Sequence, residues 1–382
     1  MKKLFITLLI FLLLVPSLIH AEEDITPNAK NSILIEVSTG KILYEKNKDD
    51  RVAVASLTKM MAQILILEEV ESGRLSWDEE IKTSANAAGY GGTQIYLEPG
   101  EVMTARDLMK GISMASANDA TIVMAERIAG TEDKFVEMMN KKAKELGLKN
   151  TNFINPTGLD YDNHYSSAYD MAIIGMELLK HPAIFEFSSL YEDYLRQDTK
   201  NKFWLVNTNK LIRTYEGCDG LKTGYTDKAG YTMAVTAKKD NMRLLAIVLG
   251  EDVSKTRNKE TRELLDYGFN TYKIDVLKKK GDIIDTIKIN KGKDEINAIL
   301  NSDITVLTKK NEDKKDYKEK VTLSDIKLPI KKNNNVGKLE LYENNILIGK
   351  YDLVSDKTIK KKNIFRTYLD NLKDIITGNF TL

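Results

Sequence analysis

The order of periodic segments along the chain predicts an α+β fold, an antiparallel sheet with a helical lobe, followed by a small all-β domain. Two observations carry this. A strand hairpin near the start and another near residue 240 bracket a run of helices, so the strands must meet around an inserted lobe. From about Lys273 the composition turns Lys-rich and the segments become short and alternating, the pattern of half-buried strands in a separate unit. The expected boundaries are a leader over 1–21, a main domain over 22–272, the all-β domain over 273–358 and an amphipathic tail over 359–382.

Each element has its local reason. Lys2 and Lys3 lead an apolar run from Leu4 to Leu14, then Pro16 and small Ala21 before Glu22. That is the make-up of a secretory signal cleaved after Ala21, and the run is short for a stable membrane span. An uncleaved N-terminal anchor is the other reading. Ile33–Val37 and Lys41–Glu45 alternate around Ser38-Thr39-Gly40 as a hairpin. A helical pattern opens at Ser56, runs through Met60, Ile64 and Leu67, and stops at Gly73. Tyr90-Gly91-Gly92 is a loop and Glu98-Pro99-Gly100-Glu101 a turn.

Thr104 with Asp107 signals an N-cap for a helix reaching about Met114. Further helices are expected at Asp119–Ala129, Glu132–Leu146 and about Tyr169–Leu179, the last stopping before Pro182. Tyr231–Ala237 and Arg243–Leu249 form the second hairpin, and a helix over Thr256–Tyr267 closes the main domain. The late strands are expected at Ile283–Ile289, Ile304–Leu307, Leu323–Ile330, Lys338–Tyr342 and Ile346–Val354. In the tail, Lys360-Lys361-Lys362 leads a helical stripe of Ile364, Phe365, Tyr368, Leu369, Leu372, Ile375 and Ile376. Such a helix either lies in a membrane surface or packs on its own domain.

Composition excludes several functions. Lys and Arg number 57 against 56 Asp and Glu, so no global field favours nucleic acid. The single cysteine, Cys218, rules out an internal disulfide and reads as a small core residue. Of three histidines, His20 falls in the leader, leaving His164 and His181 without metallopeptidase spacing. No G-x-S-x-G elbow is present either. If the chain is a hydrolase, something other than histidine carries the proton, and neither a metal nor a cofactor is expected in its chemistry.

Three short elements supply such a carrier: Ser56-Leu57-Thr58-Lys59, Ser116-Ala117-Asn118 and Lys222-Thr223-Gly224. Each alone is weak, since S-x-x-K recurs at Ser38–Lys41 and Ser324–Lys327, and S-x-N at Ser84–Asn86. Context selects among them. Ser56 alone opens a strong helix, where i and i+3 share a face and Lys59 can lie beside the hydroxyl. The helix start also offers free N–H groups and positive potential. Ser116 and Asn118, at i and i+2, need a turn to face one way. On a strand Lys222 and Gly224 share a side, and Gly224 lets another backbone approach.

A serine hydroxyl is a poor nucleophile until a neighbour takes its proton. Lys59 can do so if burial and the charge of Lys222 lower its pKa. Ser116 would relay a proton to a leaving amine, and Asn118 would hold Lys59 and the substrate amide. The backbone N–H groups of Ser56 and Tyr225 would form an oxyanion hole. Lys222 and Thr223 would bind a substrate carboxylate.

With these motifs the chain resembles the low-molecular-weight penicillin-binding proteins, D-Ala-D-Ala carboxypeptidases of peptidase family S11. The likeness spans roughly Ile25 to Phe269 and includes Leu97-Glu98-Pro99-Gly100-Glu101, Asn155-Pro156-Thr157-Gly158-Leu159 and Asp219-Gly220-Leu221-Lys222-Thr223-Gly224-Tyr225-Thr226. It implies a serine β-lactamase/transpeptidase-like domain, an acyl-enzyme on Ser56, peptidoglycan stem peptides as substrate and β-lactams as covalent inhibitors. It further implies an extracytoplasmic place, in the cell wall or on the outer face of the cytoplasmic membrane, with the tail helix on that membrane surface. It assigns Arg257 to the substrate carboxylate.

A class A β-lactamase would need a Glu after the second motif to activate the deacylating water. None stands between Lys149 and Met176, where the acids are Asp160, Asp162 and Asp170, and Asp170 reads as a helix-start residue. An endopeptidase on cross-linked peptides would use the same residues. A non-catalytic penicillin-sensing or peptidoglycan-binding module is the rival from another class, and it would not require both Lys59 and Lys222.

Overall fold

The computed structural model describes residues 24–289, 294–312, 315–361 and 376. The expected leader and most of the expected tail helix lie outside the described residues. The chain divides into two compact units that part near Tyr267, with the hairpin tips 36–41 and 238–244 grouped with the second.

In the first, strands β1 (Asn31–Glu36), β2 (Lys41–Lys46), β3 (Cys218–Thr226), β4 (Gly230–Lys239) and β5 (Met242–Glu251) form one sheet in the order β2-β1-β5-β4-β3. The early hairpin thus joins the three late strands, and the lobe between them is mostly helical, with two short ribbons, Glu80–Lys82 with Val102–Thr104 and Glu192–Leu195 with Phe203–Val206. The β1–β2 turn is tied by the Glu36 carboxylate, which accepts from the N–H and hydroxyl groups of both Ser38 and Thr39. The S-x-x-K at Ser38 is therefore spent on a turn. β3 lies at the sheet edge, pairing antiparallel with β4 so that Lys222 faces Ala234 and Gly224 faces Thr232.

The lobe's central helix, α1 (Lys59–Glu71), is buried without a break from Lys59 to Leu67. A helix apolar on all sides belongs inside a protein, with neighbours all round. Around the site lie α2 (Asn118–Ala129), α3 (Glu132–Glu145), α4 (Ala168–Leu178) and α5 (Ser254–Thr271). Side-chain caps set the starts: Thr131 Oγ1 accepts from Lys134 N–H and Ser167 Oγ from Asp170 N–H. Thr104 caps as expected, accepting from Asp107 N–H at 3.1 Å. Its helix differs from the expected one: after Ala105–Lys110 it widens into a π turn over Gly111–Ala115. Such single-turn insertions cluster at functional sites, and this one leads into Ser116.

The second unit is all β. Strands β6 (Tyr272–Lys278), β7 (Ile283–Ile289), β8 (Asp294–Leu300), β9 (Ile304–Lys309), β10 (Tyr317–Leu323), β11 (Asn335–Glu343) and β12 (Ile346–Ser355) make a sheet β7-β8-β12-β11-β10 and a ribbon β6-β9. Ile296, Ala298, Leu300, Val336, Leu339, Leu341 and Leu353 fill its core. The strand expected at Leu323–Ile330 is not there; β10 ends where it was to begin. Pro329 cannot donate to a ladder, whereas the charge-rich Tyr317–Leu323 segment sits on an edge with most side chains in solvent. Strands β6 and β8 are additions to the expected set.

Among the described residues no helix is long and apolar enough to cross a membrane.

Candidate active site

The nucleophile candidate sits in a tight turn. Ala55–Thr58 forms one 3-10 turn and α1 begins at Lys59. In that geometry side chains at i and i+3 eclipse, so Ser56 and Lys59 meet more directly than on an α-helical face. Lys59 Nζ lies 3.0 Å from Ser56 Oγ. It donates to Asn118 Oδ1 and to the Thr157 carbonyl, each at 2.6 Å. Lys59 is fully buried, and this burial first, then the charge of Lys222, holds its amine well below the usual lysine range against the opposing pull of Asp119.

Asn118 opens α2. Its side-chain amide donates to the Gly91 carbonyl at 2.7 Å and its backbone N–H to Thr93, so the Gly91–Thr93 loop fixes which way the side-chain oxygen points. Ser116 takes a left-handed conformation, φ +66°, which turns the chain between the π turn and α2. Its hydroxyl is buried without a hydrogen-bond partner among the described residues. Asp119 anchors the same region by accepting from the N–H groups of Ile95, Leu97 and Ala120.

The Thr157 carbonyl owes its position to Asn155. Asn155 Oδ1 accepts from Thr157 N, Thr157 Oγ1 and Gly158 N at 3.1, 3.0 and 2.7 Å. Gly158 has φ +83°, and a Cβ there would overlap the Ala55 carbonyl. This loop packs backbone to backbone on the nucleophile's turn. Thr157 and Asn155 are site residues that no charge or motif chemistry marks in the sequence, beyond their place in the Asn155–Leu159 stretch. His164 braces the turn from behind, with Nδ1 accepting from Ile154 N–H and Nε2 donating to Thr58 Oγ1 at 2.9 Å. Burial pulls its pKa down to about 4, so it is a neutral structural group.

Strand β3 closes the other side. A Cβ on Gly224 would stand 2.8 Å from Ser56 N and 3.0 Å from Ala55 Cβ, so only glycine lets the strand approach this closely. Lys222 is fully buried, with Nζ donating to the Thr223 carbonyl at 2.9 Å. Burial, then the Arg257 charge, brings its pKa down to about 7. Thr223 Oγ1 donates to Thr208 Oγ1 at 2.7 Å. The Tyr225 ring is half exposed and packs on Tyr231, ring centroids 4.4 Å apart, away from the buried cluster. Arg257, on α5, is buried and donates to the Thr232 carbonyl and to Asn258. Its guanidinium reaches the site through its charge on Lys222.

Two of the three acids that could mimic a β-lactamase base are otherwise engaged. Asp170 accepts from Asn150 N–H and the Thr151 hydroxyl, and exposed Asp160 accepts from Thr226 Oγ1. Cys218 is buried, and burial raises its thiol to about 11, out of nucleophile range.

A serine–lysine pair of this geometry supports acyl transfer, and comparison with known proteins agrees. The model of the D-alanyl-D-alanine carboxypeptidase family matches residues 19–253. The chain belongs to that family. Residues 269–361 match the C-terminal domain of penicillin-binding protein 5, the small all-β unit. D-alanyl-D-alanine carboxypeptidase DacF of Bacillus subtilis is 45% identical over 379 residues, 97% of each chain. Penicillin-binding protein 5 from Haemophilus influenzae superposes with a TM-score of 0.72 at 29% identity, over 87% of this chain and 98% of that one. Penicillin-binding protein D2 from Listeria monocytogenes, solved in its ampicillin-bound form, matches 63% of this chain and 98% of its own at 33% identity and a TM-score of 0.57. The family member described here therefore has the penicillin-binding/transpeptidase-like fold with an all-β C-terminal domain.

Proposed function

We propose that this family member is a serine-type D-Ala-D-Ala carboxypeptidase that removes the terminal D-alanine from peptidoglycan pentapeptides. The observation that carries the reading is the buried Lys59 amine 3.0 Å from the Ser56 hydroxyl. A neutral amine has two N–H bonds and one lone pair. The two N–H bonds go to the pure acceptors, Asn118 Oδ1 and Thr157 O. The lone pair is left for Ser56, the only one of the three partners able to donate.

Ser56 Oγ attacks the carbonyl carbon of the penultimate D-Ala while its proton passes to Lys59 Nζ. The oxyanion settles on the N–H groups of Ser56 and Tyr225. Lys222, protonated by the approach of an anion, holds the terminal carboxylate with Thr223, and Arg257 adds field from behind. The C–N bond breaks as the Ser116 hydroxyl delivers its proton to the departing amine and takes back the one held on Lys59 Nζ, which leaves that amine neutral again. D-Ala leaves, and water delivered by Lys59 as base hydrolyses the ester and restores Ser56. In a β-lactam the leaving nitrogen stays tethered and no glutamate hastens deacylation, so the drug remains on Ser56.

We further propose domains at 22–272 and 273–358, export by residues 1–21, and attachment of the 359–382 segment to the outer face of the cytoplasmic membrane. The Lys-led apolar run and the basic amphipathic tail support this reading.

The test is D-Ala release from a pentapeptide ending in D-Ala-D-Ala. Ser56→Ala abolishes release and covalent labelling by a fluorescent penicillin, and release surviving in that variant refutes the mechanism. Cleavage of cross-linked dimers in place of release assigns the endopeptidase activity, and labelling without turnover assigns a sensor.

A further inference from the structure

At the other end of α1 from the catalytic lysine, Glu68, Glu177 and His181 each bring one ligand atom within 4.8 Å of the others. Glu68 lies nine residues beyond Lys59, roughly 14 Å along the helix. Lys142 pairs with Glu68 through Oε1 and Lys180 with Glu177 through Oε2, which leaves the second oxygen of each carboxylate open.

The histidine supplies the independent observation. His181 is 7% exposed, and its Nδ1 lies 2.8 Å from Glu71 Oε1. A carboxylate at Nδ1 fixes the proton there and leaves the Nε2 lone pair free. That Nε2 is buried with no hydrogen-bond partner among the described residues. An imidazole held by a carboxylate at one nitrogen, with the other nitrogen bare, is the arrangement that orients a metal-binding histidine.

We propose that Glu68, Glu177 and His181 bind one divalent transition-metal ion, Zn2+ in the first instance, which clasps α1 to the C-terminal end of α4 and the segment that follows it. One imidazole and two carboxylates suit Zn2+ or Mn2+ and select against Ca2+ and Mg2+, which prefer all-oxygen sites. Tetrahedral ligands around Zn2+ stand roughly 3.4 Å apart, so rotamer adjustments of about 1 Å close the site. The ion is structural, remote from Ser56, and takes no part in acyl transfer.

The experiment is calorimetric titration of the chelator-treated full chain with Zn2+, Mn2+ and Mg2+, with thermal unfolding alongside. One Zn2+ per chain is expected, with Mg2+ silent, and Tm should rise by about 5 °C at a hundredfold excess over Kd. Glu177→Gln, at a half-buried position, and His181→Gln should each weaken Zn2+ about 100-fold, and Glu71→Gln about 10-fold, through His181 alone. Penicillin labelling should be unchanged in all three. The proposal is overturned if Zn2+ fails to bind at millimolar concentration. It is equally overturned if Glu177→Gln, folded by circular dichroism, binds as the parent does.

Discussion

Gly224→Ala is the sharpest probe of how β3 and the Ser56 turn are held together. The added methyl carbon would stand 2.6 Å from Thr232 Oγ1, 2.8 Å from Ser56 N and 3.0 Å from Ala55 Cβ. Neither side can yield cheaply. Thr232 is fully buried and its hydroxyl donates to the Val54 carbonyl, while the Ser56 turn is pinned from below by the Gly158 loop. Restoring ordinary contact requires the strand to retreat by about 0.6 Å, against the close packing of a protein interior. A misplacement of about 1 Å costs on the order of 100-fold in rate, and loss of one oxyanion donor costs as much again or more. Acylation should therefore slow about 100-fold, about 2.7 kcal/mol in the barrier. Overpacking should cost about 1–3 kcal/mol of stability. Time-resolved labelling with a fluorescent penicillin measures the first and urea unfolding the second. Labelling within threefold of the parent, at an unchanged urea midpoint, would refute the clamped geometry.

Two further outcomes follow from the same site. Lys222 is buried with its pKa lowered from 10.5 to about 7, so the unfolded chain holds a proton that the folded one releases. Stability should then rise with pH between 7 and 10.5, the penalty being complete below 7. Lys222→Met should raise the urea midpoint at pH 7 by a few kcal/mol equivalent and flatten that rise while sharply reducing D-Ala release; a lower midpoint at pH 7 would contradict it. Asn155→Ala removes the acceptor of three hydrogen bonds behind Thr157, and acylation should fall on the order of 100-fold with Lys59 and Ser56 both intact. Penicillin labelling kinetics decide it, and a parental rate would show that the Thr157 carbonyl holds its place unaided.

Much of this was legible in the residues because the informative positions carry unusual chemistry. A lysine three residues after a serine at a helix start, and Lys-Thr-Gly on a strand, can be read from spacing and context. In the structure Lys59 Nζ stands 3.0 Å from Ser56 Oγ and 2.6 Å from Asn118 Oδ1, and Gly224 lies against the Ser56 turn. The parts that escaped work through the backbone. Thr157 contributes a carbonyl, Asn155 shapes a loop and Gly91 orients an amide, and none of these roles leaves a trace in residue type. The 3-10 turn at Ser56 and the π turn before Ser116 are likewise tertiary outcomes. In the all-β unit strand β10 lies over Tyr317–Leu323, where Tyr317, Val321 and Leu323 alternate with Lys318, Lys320 and Thr322 but Glu319 interrupts the apolar face, so that it shares Leu323 alone with the expected Leu323–Ile330.

The lone thiol has a practical corollary. Cys218 is enclosed beside the Gly220 carbonyl and resists ionisation. Alkylating dyes and air oxidation should pass the native protein by. A cysteine introduced at an exposed position, Tyr96 or Tyr161 for instance, would be the single reactive handle for a fluorophore.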